Sequence, residues 1–435
     1  MNLEHIVNEN GEMETTGRFI VTYREDAKDE ALASLASYAG LTQAKLMSSS
    51  DFGEGGVDIA QVPADGGVIF ENLGIAVVNM DESAVSAMSM EVGEGAAILA
   101  IEPEGIMHAL EDERGLSMEY LRGFRDAANT LYAQSIQGSM SEEDAEVMAL
   151  YNDTATCTWG LQATKVCASR YSGRGIKVAI LDTGLDLRHP DFAGRAIVSR
   201  SFIAGVPTAQ DGHGHGTHCT GTACGPLKPG VGRRYGIAYN AQIYIGKVLS
   251  DAGSGSDGGI LAGIDWAVAN RCHVISMSLG ANVCSTTTAY ETAGQRALNA
   301  GTLIVAAAGN NSDRAKGIYG CVNRPANSRT FMAVGAVDSD LRIANFSARD
   351  TARVAGTEVN IVGPGVNVYS SWPMPTRYRT ISGTSMATPH VAGIAALWSE
   401  KTGARGSALW QNLINNARAL AIPVVDAGKG LVQAP

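Results

Sequence analysis

No apolar run in this sequence approaches the roughly 20 residues that a membrane-spanning helix needs, so no membrane span is expected. Cysteine is missing from the first 150 residues; Cys157, Cys167, Cys219, Cys224, Cys272, Cys284 and Cys321 all lie beyond them. None of these forms a Cys-x-x-Cys pair or a Cys/His cluster with zinc spacing, so no metal site is expected. Basic residues are scarce in the same N-terminal part: 7 Lys and Arg stand against 28 Asp and Glu, a net charge of −21. Met1 to Thr16 is polar and acidic, with neither the positive segment nor the apolar segment of a secretory leader.

With 435 residues, 45% of them hydrophobic, and 51 glycines, the chain reads as two compact units of α/β type with many tight turns. Residues 151–435 carry 26 basic and 16 acidic residues, a net of +10 within the total of −11. An acidic part docking on a basic part of the same chain is the reading this split favours. The positive charge is dispersed, so no nucleic-acid partner is expected, and the protein is read as a monomer. An odd number of cysteines leaves at least one thiol free. Up to three disulfides favour a secreted or otherwise extracytoplasmic protein, while the polar N-terminus keeps a cytoplasmic location open.

The order of elements gives four segments. Residues 1–16 read as a flexible lead. Residues 17–105 alternate a strand at Phe19–Tyr23, a helix at Asp26–Tyr38, strands near Val57–Val62 and Gly74–Val78, a helix at Asp81–Met90 and a strand at Ala96–Ile101. That order predicts a small α+β ferredoxin-like sheet. Residues 106–150 read as a charged helical linker, with helices at Ser117–Ser135 and Glu142–Leu150. In residues 151–435, apolar runs at Val178–Leu181, Ile243–Lys247, Val274–Leu279, Leu303–Ala308 and Met332–Val337 alternate with helical stretches. Such runs predict strands buried on both faces, in a doubly wound parallel sheet whose site lies at the carboxyl ends of the strands.

Three motifs meet that description. Asp182-Thr183-Gly184 closes the first run, His215-Gly216-Thr217-His218 opens a helix, and Gly383-Thr384-Ser385-Met386 opens another. Acyl transfer by a serine needs a base for the hydroxyl proton and a carboxylate to orient the imidazole. Asp182, His215 and Ser385 supply these types. Asn310, after Ala307-Ala308-Gly309 at another strand end, can donate to a developing oxyanion together with the Ser385 N–H. Each motif alone has a plainer explanation: strand exit, helix cap or turn. The four together, in this order, are far more specific.

The order Asp…His…Ser resembles the subtilisin-like serine proteases, peptidase family S8. The form Asp211-Gly212-His213-Gly214-His215-Gly216-Thr217-His218-Cys219 is most similar to the proteinase K branch. The resemblance runs from about Thr158 to Val432. It implies a serine endopeptidase with Asp182 as orienting carboxylate, His215 as general base and acid, Ser385 as nucleophile and Asn310 as oxyanion donor. It implies that Ser278-Leu279-Gly280 pairs with extended peptide or protein substrate, with Ala307, Ala308 and Gly309 on the S1 wall. The chemistry requires no cofactor. Structural calcium is a family habit, but Asn360 stands where relatives often carry an aspartate ligand. Residues 18–104 resemble the family's inhibitory I9-type propeptide, which implies a self-processing zymogen inhibited by its own acidic prodomain and cut between about 106 and 156. Cys219, four positions after His215, is the candidate free thiol; Cys284 and Cys321 are a candidate bridge beside the cleft; His213 is read as a surface residue. Two other readings stay open: an intracellular protease for one precursor, and a non-catalytic subtilase-like scaffold.

Overall fold

A computed structural model describes residues 14–93, 95–110, 150–350 and 356–435. The N-terminal unit runs β1 (Thr15–Tyr23), α1 (Lys28–Ala39), β2 (Leu46–Ser48), β3 (Gly67–Phe70), β4 (Ile75–Val78), α2 (Glu82–Met88) and β5 (Ile98–Ala109). Its strands lie in the order β5-β1-β4-β3-β2, antiparallel except for β2 against β3. One face packs Val21, Ile69, Ala76 and Val78 against Ala31, Leu35 and Met88 of the two helices. The other face, with Ile20, Val68, Phe70, Ile75 and Val77, shares a core with residues of the C-terminal unit. This explains why β3 and β4 are buried at every position rather than alternately.

The strand expected at Val57–Val62 is not formed; the segment carries a 3-10 turn at Ile59–Gln61, and the strand lies instead at Gly67–Phe70. Val57, Ile59 and Val62 are apolar because they pack on the shared core, a role that needs no extended backbone. The expected helix at Ser117–Ser135, and that at Glu142–Leu150 apart from Leu150, lie outside the described residues. Strand β5 continues to Ala109, four residues into the segment read as linker.

The C-terminal unit continues with α3 (Trp159–Ala163), β6 (Lys177–Asp182), β7 (Ile197–Ser201), α4 (His215–Cys224), β8 (Gln242–Lys247), β9 (Ser254–Ser256), α5 (Asp257–Ala269), β10 (Val274–Met277), β11 (Leu279–Gly280), α6 (Thr288–Asn299), β12 (Leu303–Ala307), β13 (Met332–Val337), β14 (Ile361–Pro364), β15 (Val368–Ser371), β16 (Tyr378–Ile381), α7 (Thr384–Thr402) and α8 (Gly406–Asn415). Seven strands form a parallel sheet in the order β14-β13-β12-β10-β6-β8-β7. The five expected runs supply its centre, so the doubly wound α/β architecture is as the sequence predicts. The edge strands β7 and β14 are additional. β7 is half exposed, so it lacks the continuous apolar signature of a buried strand. Among the described residues, no helix is long and apolar enough to cross a membrane.

The two units share one sheet: β5 lies between β9 and β11 and is antiparallel to both.

Candidate active site

Asp182 ends β6, His215 opens α4 and Ser385 is the second residue of α7; all three are buried. His215 Nδ1 lies 2.7 Å from Asp182 Oδ1. The same carboxylate oxygen accepts the Thr183 N–H at 2.7 Å, which holds it at the strand end. Burial alone would lower the imidazole pKa, but the Asp182 carboxylate beside it outweighs that and holds His215 well above an ordinary histidine. His215 Nε2 is buried without a hydrogen-bond partner among the described residues.

Asp211 shapes the turn into α4, a role the sequence reading missed. Its Oδ1 accepts the N–H groups of His213 and Gly214 at 3.0 and 2.9 Å. Its Oδ2 accepts from the Thr217 N–H and hydroxyl at 2.9 and 2.7 Å. The signal was available: an aspartate four residues before a helix-opening histidine, in glycine-rich backbone, is a natural acceptor for first-turn N–H groups. His213 is half-buried rather than a free surface residue. Its ring stands edge-on to that of His215 with centroids 6.3 Å apart.

The Ser385 hydroxyl donates to the Ser278 carbonyl at 3.1 Å, and the Ser278 hydroxyl donates back to the Ser385 carbonyl at 2.8 Å. Cys219 lies beneath them, its Sγ 3.5 Å from the Ser385 carbonyl and 3.9 Å from His215 Nδ1. Burial pushes this thiol up to about 11, so it stays neutral. Cys219, Cys224 and Cys272 are free and buried, whereas Cys157–Cys167 and Cys284–Cys321 are disulfides.

Asn310 follows the exit of β12. Its Oδ1 accepts both the N–H and the hydroxyl of Thr384, at 2.9 and 2.8 Å, and this orients its Nδ2. That Nδ2 donates to the carbonyl of Leu110 at 2.8 Å. Leu110 is the residue after β5, so the N-terminal unit delivers a peptide carbonyl to the candidate oxyanion donor. Around it, Ala109 pairs with Leu279 and His108 with Gly280 on one side; Met107 pairs with Gly255 and His108 with Ser254 on the other. The Ala109 N–H also donates to the Gly253 carbonyl at 2.9 Å. Two glycines make room for the peptide. A Cβ on Gly383 would stand 2.7 Å from the Leu110 carbonyl oxygen, and one on Gly280 would stand 3.2 Å from Leu110 Cδ1. Ala307, Ala308 and Gly309 form the buried strand exit that carries Asn310, with the Gly309 N–H donating to the Thr384 hydroxyl at 3.2 Å.

A family model described as the subtilase family matches residues 173–431, more than half of the chain. The chain belongs to the subtilase family. As a subtilase it is a serine endopeptidase, and the chemistry runs without a cofactor. It is 38% identical over 362 residues to an alkaline protease of Alkalihalobacillus alcalophilus, covering 81% of this chain and 88% of the relative. The M-protease of Shouchella clausii (strain KSM-K16) is 36% identical over 364 residues, with 81% and 88% coverage. Subtilisin Savinase of Lederbergia lenta is 40% identical over 279 residues, covering 63% of this subtilase and 96% of the relative. For the calcium that the family habit implies, the donor set fits poorly. Asn360 Oδ1 already accepts the Ala333 N–H at 2.7 Å. The one described cluster of three ligand-type side chains is Asp182, His215 and Cys219, whose nitrogen and sulfur suit a softer ion.

Proposed function

We propose that this subtilase is a zymogen that cuts itself after Leu110 and then acts as an endopeptidase. Ser385 attacks the peptide carbonyl, His215 takes the hydroxyl proton and returns it to the leaving amine, and Asp182 holds the imidazole tautomer. The oxyanion forms between Asn310 Nδ2 and the Ser385 N–H. Ser278, Leu279 and Gly280 pair with the extended substrate, while Ala307, Ala308 and Gly309 wall the pocket beside the scissile bond. Water then releases the acyl-enzyme. Residues 17–110 are the inhibitory prodomain and 151–435 the catalytic unit.

One observation carries this reading: the Leu110 carbonyl is hydrogen-bonded to Asn310 while the strand behind it is paired on both edges in the cleft. An added strand of this kind is how a groove binds extended peptide. Helix ends support it. Glu102 accepts the Thr288 and Ala289 N–H groups at 3.0 Å each at the start of α6, and Glu104 accepts the Gly258 N–H at 2.8 Å in the first turn of α5. Carboxylates there complete unpaired backbone donors at the positive end of the helix dipole. A match covering 81% of the chain exceeds the C-terminal unit, so the likeness reaches into the N-terminal one. The Asp211–Cys219 spelling supports the proteinase K branch, and two disulfides support an extracytoplasmic location.

Expression of the wild type beside Ser385→Ala tests the reading. The wild type is expected to start at Glu111 after its first cut, with the variant intact. Equal processing of both would refute self-cleavage, and absence of hydrolysis of casein by the wild type would favour the scaffold reading.

A further inference from the structure

Strand β5 lies on β9 with His108 opposite Ser254, Met107 opposite Gly255 and Ile106 opposite Ser256. One step further along this register, Gly105 falls against Asp257. There the ladder changes character. Asp257 opens α5, so its backbone turns into the helix and no longer runs beside the strand. Its side chain takes over: Oδ2 accepts the Gly105 N–H at 2.8 Å.

The other oxygen, Oδ1, accepts the Tyr290 hydroxyl at 2.6 Å. Tyr290 belongs to α6, and its ring stands edge-on to Phe331 with centroids 5.9 Å apart. A second element of the catalytic unit therefore fixes the direction of the carboxylate. Asp257 and Tyr290 are both buried. Burial pushes Asp257 up to about 6, so above that pH it is a carboxylate and can only accept. Of its two partners, Tyr290 stays with the catalytic unit and the Gly105 N–H belongs to the strand in the cleft. That N–H is main chain, so any extended peptide of sufficient length presents the same group, unless proline stands there.

We propose that Asp257 is a specificity-determining residue of this endopeptidase, binding the main-chain N–H of the sixth residue before the scissile bond. It selects for substrates with at least six residues on that side and against proline at the sixth. The inference rests on the reading of Leu110 as the residue before the scissile bond, which makes Gly105 the sixth. A hydrogen bond to a buried carboxylate is of the stronger kind. It lies far from the reacting carbonyl and is made alike in ground state and transition state, so its effect belongs in KM.

Two p-nitroanilides that reproduce the sequence from Gly105 to Leu110 test this, one beginning with acetylglycine and one with acetylsarcosine. The methyl group on the sarcosine nitrogen removes the N–H in question. At about pH 8, where Asp257 is ionised, the active wild type should hydrolyse the glycine peptide with a kcat/KM about 10-fold higher, the difference lying in KM. In Asp257→Ala the ratio should fall to about 1. Tyr290→Phe keeps the ring and frees the carboxylate to swing, so its ratio should be intermediate. A wild-type ratio near 1 would overturn the inference and show that Asp257 serves only to dock the N-terminal unit. So would a ratio that stays at the wild-type value in both variants, because the methyl group would then act by bulk alone. If Asp257→Ala fails to fold, the wild-type pair and Tyr290→Phe still decide. Absence of cutting after leucine in both peptides would instead refute the reading of Leu110, and the inference with it.

Discussion

The side-chain amide of Asn310 donates to the carbonyl oxygen of Leu110 at 2.8 Å, although the two residues are 200 positions apart. Thr384, immediately before Ser385, fixes the direction of that donation by occupying the amide oxygen with two hydrogen bonds. On the proposed mechanism, the residue before the nucleophile thus orients the group set against the developing charge.

Replacing Asn310 by leucine keeps the branched shape of the side chain and removes the donor. The expected result is a fall in kcat of about 10²- to 10³-fold with little change in KM, because the bond matters most once the oxygen is charged. Steady-state kinetics on one peptide substrate measure it. Thr384→Val removes one of the two bonds that hold the amide oxygen, the backbone N–H remaining, and should give a smaller loss of the same kind.

His215 must be neutral to accept the serine proton. Its pKa is raised by the Asp182 charge against the effect of burial. The protonated, inactive form therefore persists to higher pH than for an ordinary histidine, and kcat/KM should climb with pH through a midpoint above about 6.5. Asp182→Asn removes the chief raising charge, so the midpoint should move down as the rate drops by about 10⁴-fold. A pH profile in which the midpoint stays put would contradict this account.

Gly280→Val places two methyl groups where even a Cβ would stand 3.2 Å from Leu110 Cδ1. Precursor cleavage should slow, and hydrolysis of matched peptides should shift from leucine towards alanine before the scissile bond. A preserved leucine-to-alanine ratio would argue against Gly280 as the pocket wall.

Glu104 is fully buried and holds the Arg18 guanidinium through two 2.7 Å bonds as well as the Gly258 N–H. Glu104→Ala leaves these donors unpaired at the seam between the units. A loss of about 3 kcal/mol, or roughly 100-fold faster release of the cut prodomain, is expected. Dissociation kinetics of the nicked complex report it.

The Cys284–Cys321 disulfide closes a separation of 37 residues, and beside it Ala281 pairs with Arg324. This bridge anchors the segment that follows β11, the strand that lines the cleft. In the chain-entropy account a loop of this length contributes about 4 kcal/mol. Cys284→Ser with Cys321→Ser should lower the melting temperature by about 10 °C, measured by calorimetry on the inactive precursor.

The proposed triad residues stood out in the sequence because each sits at an abrupt local change: apolar run to turn, or glycine turn to helix. The central strands were legible for a similar reason, since burial on both faces leaves a continuous apolar run. The strand expected at Val57–Val62 was misread because its apolar residues face the other unit, and local pattern does not distinguish that from sheet pairing. Asp211 was passed over because a lone aspartate in a glycine-rich turn has many ordinary explanations.

By itself, the sequence determined which side-chain types are available for the proposed chemistry, the order of the parallel strands' segments and the opposed charges of the two units. These are properties of residue type and short-range period. Only the tertiary structure decided that β5 runs on into the cleft, that Leu110 meets Asn310 and that Cys284 pairs with Cys321. Each depends on which distant segments share a sheet or a core, and no local spacing encodes that.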